Sequence, residues 1–412
     1  MNGFYSSWDD IWMLDGVRTP FVDYCTGLSA VSPTDLGIKV AREALARSGV
    51  AASDIGSVLT GNMAPGDCFQ YFIARHIGLY AGVPQHVTAL NVQRICGTGL
   101  ELFRQAADQI KLGYTQTALL VGAESMTRNP IASFAHRAGF RLGAPVEFKD
   151  YLWEALLDPA AGVSMPQTAE NLARRYGIAR SEVDAYAAQS FERALAAQAR
   201  GFHAGEIVAL ANETFELDGY AARQMRLTGK HKELAMDTHV RPSPLEVLAG
   251  LKNLYPDGVQ TAGNSAALVD GAAAAVVASG ACAHKRLARI AACAVVGVAP
   301  EIMGIGPAPA IRLLLERSGL TLDDIGVFEI NEAQGAQVLA VERELGLDRE
   351  RLNINGGAIA LGHPLAATGM RLAITAARAL KERKQRYAVA SACIGGGQGI
   401  ALLLENPEWR TA

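Results

Sequence analysis

Hydrophobic positions along this chain alternate between two spacings. The runs TALLVGA (117–123) and YAVASAC (387–393) are almost wholly apolar, as strands buried on both faces require. Phe103, Ala106, Ala107 and Ile110 recur at helical spacing, and so do Ala373, Ala376, Ala377 and Leu380. Upstream of the first helical set, an apolar run from Val83 to Val92, broken by Pro84, leads into Arg94-Ile95-Cys96. Gly97-Thr98-Gly99 then opens the helix, so the pattern predicts a strand, a tight glycine turn and a helix with Cys96 at the junction. Residues 259–279, VQTAGNSAALVDGAAAAVVAS, are small and apolar and suit a tightly packed core strand.

The two sets are related by a single shift of 270 residues. That shift lays Ser48-Gly49 on Ser318-Gly319, Asp54-Ile55-Gly56 on Asp324-Ile325-Gly326, and Thr98-Gly99 on Thr368-Gly369. It holds from about residue 36 to 123 without a gap, which chance matching would not do. Each copy reads helix, strand, loop, strand, helix, strand, an alternating α/β unit. The expectation is two similar halves, residues 1–127 and 256–412, packed about a pseudo-twofold axis. Residues 128–255 between them are an insertion rather than a third copy. They hold irregular stretches rich in Gly, Pro, Arg and Asp, with one long helix expected from Ser181 to Arg200 and Ser181 as its N-cap.

At 412 residues the chain exceeds one ordinary core. Its 38 basic and 41 acidic residues are near balance and unblocked, which argues against nucleic acid or an anionic membrane as partner. The start, MNGFYSSWDD, lacks the regions of a signal peptide, and no apolar run is long enough to span a bilayer. Cysteines at 25, 68, 96, 282, 293 and 393 are scattered, with no C-x-x-C pair. Reduced thiols in a cytoplasmic protein, with no metal site, are expected.

Chemistry enters where the copies differ. Position 96 is Cys, while the matching loop of the second copy carries Gly362-His363-Pro364 three residues ahead of that point. Position 393 is Cys where the first copy has Ala123, and Asn331-Glu332 stands opposite Gly61-Asn62. Loops at equivalent ends of symmetric halves can meet, so Cys96, His363, Cys393 and Asn331 could share one pocket. Each also has an ordinary reading: a small buried cysteine, a turn histidine, packing, a helix cap. Gly395-Gly396-Gly397 is either a flexible turn or a loop that brings backbone N–H groups close to a ligand. A thiol at a helix N-terminus faces unpaired N–H groups and the positive dipole end, which favours thiolate at Cys96.

Taken together, these residues resemble the thiolases, acetyl-CoA C-acyltransferases, over nearly the whole chain, from GVRTPF (16–21) to CIGGGQGIALLLE (393–405). RICGTG resembles the thiolase nucleophile loop, NEAQ (331–334) the NEAF motif, GGAIALGHP (356–364) the histidine loop and CIGGG the second cysteine loop. PEIMGIGPAPA (300–310) and TAGNSAALVDGAA (261–273) match as well. The resemblance implies an α/β, duplicated αβαβα layered fold in which the insertion carries the coenzyme A site.

By the same resemblance, Cys96 is the nucleophile, His363 draws off its proton, and Cys393 is the acid and base at the carbon–carbon bond. His363 with a water held by Asn331 forms one oxyanion hole, and the N–H groups of Cys96 and Gly395 form the other. Met165, Ser164, Ala266, Met303 and Gln334 are the implied substrate contacts. Arg223, Arg226, Lys230 and Lys232 are candidates for the nucleotide phosphates, although a solvated basic face is the first reading of that cluster. Coenzyme A is then a substrate, no bound cofactor is needed, and a homodimer or homotetramer is expected.

Departures from the family pattern bear on substrate. Gln334 stands where Phe is usual, Ala266 where a serine would contact pantetheine, and Ser164-Met165 where the biosynthetic branch has His-Met. Ala366 and Thr368 replace the common Gly and Ser. SMPQTAEN (164–171) and RYAVASACIGGGQGIAL resemble instead the branch acting on 3-oxoadipyl-CoA. The expected reaction is thiolysis of a 3-oxoacyl-CoA larger or more polar than acetoacetyl-CoA. The alternatives are a biosynthetic acetoacetyl-CoA thiolase and a non-catalytic lipid- or CoA-binding relative. Decarboxylating ketoacyl synthases share the duplicated fold but have no second thiol, so Cys393 argues against them.

Overall fold

The computed structural model describes residues 2–283 and 285–409. Its first half is built from β1 (Ile11–Arg18), α1 (Pro33–Ser48), β2 (Ser57–Gly61), α2 (Ile73–Tyr80), β3 (Ala89–Val92), α3 (Thr98–Lys111) and β4 (Thr117–Glu124). The insertion contributes α4 (Met165–Tyr176) and α5 (Arg180–Ala199). The chain continues with β5 (Val269–Ser279), β6 (Ala288–Gly297), α6 (Pro307–Ser318), β7 (Ile325–Ile330), α7 (Gly335–Leu345), α8 (Leu365–Arg383), β8 (Tyr387–Ile394) and β9 (Gln398–Glu405).

The 270-residue repeat is a structural repeat. Both α1 and α6 begin with proline and end Ser-Gly, with Gly49 and Gly319 in the left-handed region at φ 72° and 68°. Proline suits a first helical position, whose N–H would be unpaired, and glycine takes the left-handed cap without a Cβ penalty. In the first sheet β2 lies parallel to β4, and β5 runs antiparallel to both β4 and β1. In the second sheet β7 lies parallel to β8, and β9 runs antiparallel to both β8 and β6. The sheets join edge to edge where Ala288 and Arg289 of β6 pair with Met13 and Trp12 of β1. Strand β3, parallel to β2, ends the first sheet. The second copy has a short helix, Ala358–Leu361, at the corresponding place.

Five layers follow from where the apolar faces go. Helices α3 and α8 lie between the sheets, where Phe103, Ala107, Ala373 and Leu380 share one core with Leu120 and Ala275 of the first sheet and Leu402 of the second. Helices α1 and α2 cover the outer face of the first sheet through Ile38 and Ile77 against Val58 and Val121. Helices α6 and α7 do the same on the second, through Ile311 and Leu339 against Phe328 and Val389. At the centre, α3 and α8 cross backbone to backbone. A Cβ on Gly99 would lie 2.8 Å from the carbonyl carbon of Gly369, and one on Gly369 would lie 2.8 Å from that of Gly99. These glycines are repeat partners, so the pseudo-twofold axis runs through their contact.

The structure corrects several boundaries. The return strand β5, assigned by sequence to residues 256–412, pairs into the first sheet, so by sheet membership the second half starts at β6. Helix α5 starts one residue before Ser181. Glu182, its third residue, accepts the N–H of Ala179 at 2.8 Å and does the capping that Ser181 was expected to do. The strand read from Val83 onward is confined to Ala89–Val92, because Pro84 begins a turn closed by Val87 N–H to the Pro84 carbonyl. Helix α4 was not foreseen, although Ser164 caps it with Pro166 near its start.

Candidate active site

Cys96 occupies a single 3-10 turn, Ile95–Gly97, between β3 and α3. Ile95 adopts φ 44°, a left-handed conformation that is costly for a β-branched residue. Thr98 holds the turn: its hydroxyl donates to the Ile95 carbonyl at 2.7 Å and accepts the Arg94 N–H at 2.8 Å. Gly97 lets the turn settle on the other half, since a Cβ there would lie 2.6 Å from Cδ1 of Ile394. Ile394 follows Cys393, so the second cysteine loop lies against the first.

The hairpin after Cys393 explains its glycines. Gly396 and Gly397 take φ 79° and 85°, and a Cβ on Gly397 would lie 2.9 Å from Cα of Pro300. Gly395 is different. Its backbone N–H and that of Cys96 lie close enough to the Cys96 sulfur to pull the thiol's titration down. The expected thiolate is nevertheless not the resting state. Burial pushes the Cys96 thiol up to about 11, against the downward pull of those two N–H groups. Desolvation therefore outweighs the helix terminus. Cys393, fully buried at the end of β8, is also pushed above the usual thiol range, by burial first and then by Cys96.

His363 precedes α8, and its ring is held at both nitrogens. Thr368 donates its hydroxyl to the Pro364 carbonyl at 3.1 Å, leaving its oxygen to accept from Nδ1 of His363 at 2.6 Å. That arrangement puts the proton on Nδ1 and the lone pair on Nε2, which lies 3.3 Å from Nδ2 of Asn331. Burial, with the charge of Arg371 added, pushes His363 down to about 3, so the imidazole is neutral. Asn331 follows β7 and donates its backbone N–H to the Ser391 carbonyl at 2.9 Å, while its Oδ1 is buried without a partner. Leu365, two residues past His363, packs in the same small cluster as Cys96.

Other expected residues divide into those that reach this centre and those that do not. Met165 and Met303 pack against Cys393 with Ala333, and Met165 also flanks Gly395, whose added Cβ would lie 3.5 Å from its sulfur. Ser164 caps α4 and its hydroxyl lies 2.5 Å from that of Tyr255. Ala266 donates its N–H to the Ala333 carbonyl at 3.1 Å. Gln334 is buried, and its Oε1 accepts the Ser265 hydroxyl at 2.6 Å. The two arginines are engaged elsewhere. Arg223 donates to Asp35 at 2.6 Å and to Ser32 at the start of α1. Arg226 donates to the Glu213 and Met225 carbonyls and to Thr214. Lys230 and Lys232 are exposed.

Sequence reasoning did not single out Thr368 as the group orienting His363, though its spacing of five residues from the histidine was the available signal. Nor did it find the role of Glu332, which accepts from Tyr186 and Ser190 of α5, from Asn353 and from the Ile359 N–H. That carboxylate ties the insertion to the histidine loop.

The chain matches the thiolase N-terminal domain over residues 11–281 and the thiolase C-terminal domain over residues 284–406. It is 38% identical to the mitochondrial 3-ketoacyl-CoA thiolase of Homo sapiens over 402 residues, covering 96% of this chain and 98% of that protein. It is 41% identical to a beta-ketoadipyl-CoA thiolase of Acinetobacter baylyi over 410 residues, covering 96% and 99%. The crystal structure of the human mitochondrial 3-ketoacyl-CoA thiolase in complex with CoA superposes with a TM-score of 0.90 at 37% identity, covering 96% and 98%.

Proposed function

The chain belongs to the thiolase family, and we propose that its CoA-dependent thiolase reaction runs through an acyl group carried on Cys96. The observation that carries this reading is the seating of the Cys96 turn on the Cys393 loop, Gly97 against Ile394 and Gly395 against Ile95, with the N–H groups of Cys96 and Gly395 acting on the Cys96 sulfur. Cys96 attacks the ketone carbon of a 3-oxoacyl-CoA. Its proton passes to Nε2 of His363 as the bond forms, because neutral thiol and neutral imidazole are the resting pair. The two N–H groups bind the oxygen of that tetrahedral centre. The carbon–carbon bond then breaks, Cys393 protonates the departing acetyl-CoA enolate, and the acyl group stays on Cys96. Coenzyme A, deprotonated by Cys393, releases it as a shortened acyl-CoA. The free Oδ1 of Asn331 suits a bound water that, with His363, holds the enolate oxygen.

The insertion, residues 128–255, is the natural coenzyme A platform, since Met165 on its α4 reaches both Gly395 and Cys393. Lys230 and Lys232, unlike Arg223 and Arg226, remain open to phosphates. The Ser164–Tyr255 hydroxyl pair beside Met165 favours a chain with a polar end, and so does the likeness to a beta-ketoadipyl-CoA thiolase. The proposed substrate is therefore 3-oxoadipyl-CoA, in the degradative direction. Strand β3 ends its sheet with Leu90 half exposed and no proline or lysine to blunt pairing, which supports a homodimer. Among the described residues no helix is long and apolar enough to cross a membrane, and six cysteines outside any disulfide suit the reducing cytoplasm.

One experiment tests nucleophile and substrate together. Incubate the enzyme with 3-oxoadipyl-CoA without free CoA and map adducts by mass spectrometry. A succinyl group on Cys96, formed faster than the acetyl group left by acetoacetyl-CoA, is expected. An adduct confined to another cysteine overturns the nucleophile, and faster acetylation overturns the substrate.

A further inference from the structure

The duplication that built the reaction centre also built a second backbone site of the same kind. Shifted by 270 residues, Cys96 falls on Ala366, the second residue of α8. The Ala366 N–H is one of the groups a helix start leaves without an intrahelical partner. Its partner is Glu124, the last residue of β4, which is 1% exposed. Glu124 Oε2 accepts the N–H groups of Ala366 at 3.2 Å and Met63 at 3.1 Å. Its Oε1 accepts the Ala64 N–H at 3.3 Å and the Asn62 side-chain amide at 3.2 Å. The place that corresponds to the Cys96 hole thus contains a carboxylate of the protein itself. Four N–H donors on one carboxylate are what a buried anion needs.

We propose that Glu124 is a positioning residue for the thiolase reaction, clamping the first turn of the His363 helix to the Asn62–Ala64 loop of the nucleophile half. The inference rests on the assignment of Cys96 and His363 above. Ala366 is the third residue after His363, so the clamp fixes the base just ahead of the helix. Met63, on the same carboxylate, and Leu365, next to Ala366, both pack in the cluster that contains Cys96. The groups facing Glu124 are few. Asp270 of β5 adds to burial in raising its pKa to about 7, the three backbone N–H groups lower it, and its charge in turn raises Cys96. Glu124 therefore acts twice: its oxygens hold the histidine loop, and its charge adds a smaller push to the burial that holds the nucleophile as a thiol.

The test compares Glu124→Gln and Glu124→Ala with the parent, after thermal melting has shown each variant folded. In Glu124→Gln two of the four N–H donors face an amide donor, and the charge near Cys96 is gone. Its kcat for thiolysis is expected to fall about 100-fold, as for a misplaced catalytic group. Alkylation of Cys96 by iodoacetamide at pH 8, mapped by mass spectrometry, is expected to rise about threefold, because a nearby negative charge no longer opposes the thiolate. Formate is expected to restore part of the kcat of Glu124→Ala in a saturable way. A generally damaged site would lose turnover and selective alkylation together and would not respond to formate, and that outcome overturns the proposal. Unchanged kcat and an unchanged pH profile of alkylation overturn it too. If the parent itself is not alkylated and acylated at Cys96, the assignment of the site has failed instead.

Discussion

The two halves share a backbone plan but carry different chemistry at matching positions. Cys96 stands opposite Ala366, Ala123 opposite Cys393, and Gly61-Asn62 opposite Asn331-Glu332. The first half keeps Cys96, the proposed nucleophile, in a strained turn after an edge strand. The second replaces that strand with a short helix and supplies histidine, asparagine and the second thiol. At the end of β4, Glu124 accepts the N–H of Ala366, the repeat partner of Cys96; at the end of β8, the corresponding Ile394 packs under Gly97. A duplicated scaffold thus fixed the geometry once, and single side chains at equivalent strand ends then divided the roles.

The division is most directly broken at the nucleophile. Cys96→Ala should lower thiolysis by at least about 10,000-fold, as removal of a covalent nucleophile does. Adding Ala366→Cys should not restore it, because the Ala366 N–H is held by Glu124 and Ala123 provides no second thiol. Recovery of steady-state activity in the double variant would mean the halves are interchangeable. Next in size, Cys393→Ala should still take up an acyl group on Cys96 from an acyl-CoA. It should lose about 100- to 10,000-fold in carbon–carbon cleavage, the range for a proton-transfer residue. Near-normal thiolysis would return Cys393 to a packing role.

Thr368→Val sharpens the comparison, because Thr98, its repeat partner, holds the nucleophile turn while Thr368 holds the histidine ring. Without a partner at Nδ1 the tautomer is no longer fixed, and kcat should fall roughly tenfold with little change in KM. A change in KM alone would show that the ring is held by packing.

The smallest effects concern protonation. His363 is held far below its ordinary 6.5, so its contribution to stability is present above pH 6.5 and is lost as pH falls toward about 3. Cys96 is raised, so its contribution is present below about pH 9 and is lost as pH rises toward 11. Denaturant midpoints of the parent should decline on both sides. His363→Asn should flatten the acid side and Cys96→Ala the alkaline side. Parallel curves for parent and variants would show that neither group titrates as described.

Much of this was legible because periodicity and repetition are local properties of a sequence. The layered fold follows from one shift of 270 residues, and both thiols, His363 and Asn331 stand where the copies differ. What was not legible depends on partners far along the chain. Arg223 looked available for a phosphate until Asp35, brought in by α1, took its guanidinium. The Gln334 amide oxygen looked unpaired until Ser265 reached it. The helix terminus argued for a thiolate at Cys96, but how deeply the loop is buried decides that question, and burial depth cannot be read from the loop's own residues.

The crossing of α3 and α8 at Gly99 and Gly369 sets a tolerance for the whole molecule. Main chain resting on main chain has no rotamers to rearrange and no methyl groups to trade, so the gauge between the halves is independent of which side chains fill the core. Substitutions in the insertion can then alter its surface without disturbing the spacing of the two sulfur atoms. Such a scaffold lets relatives diversify in substrate while the reacting groups keep their alignment.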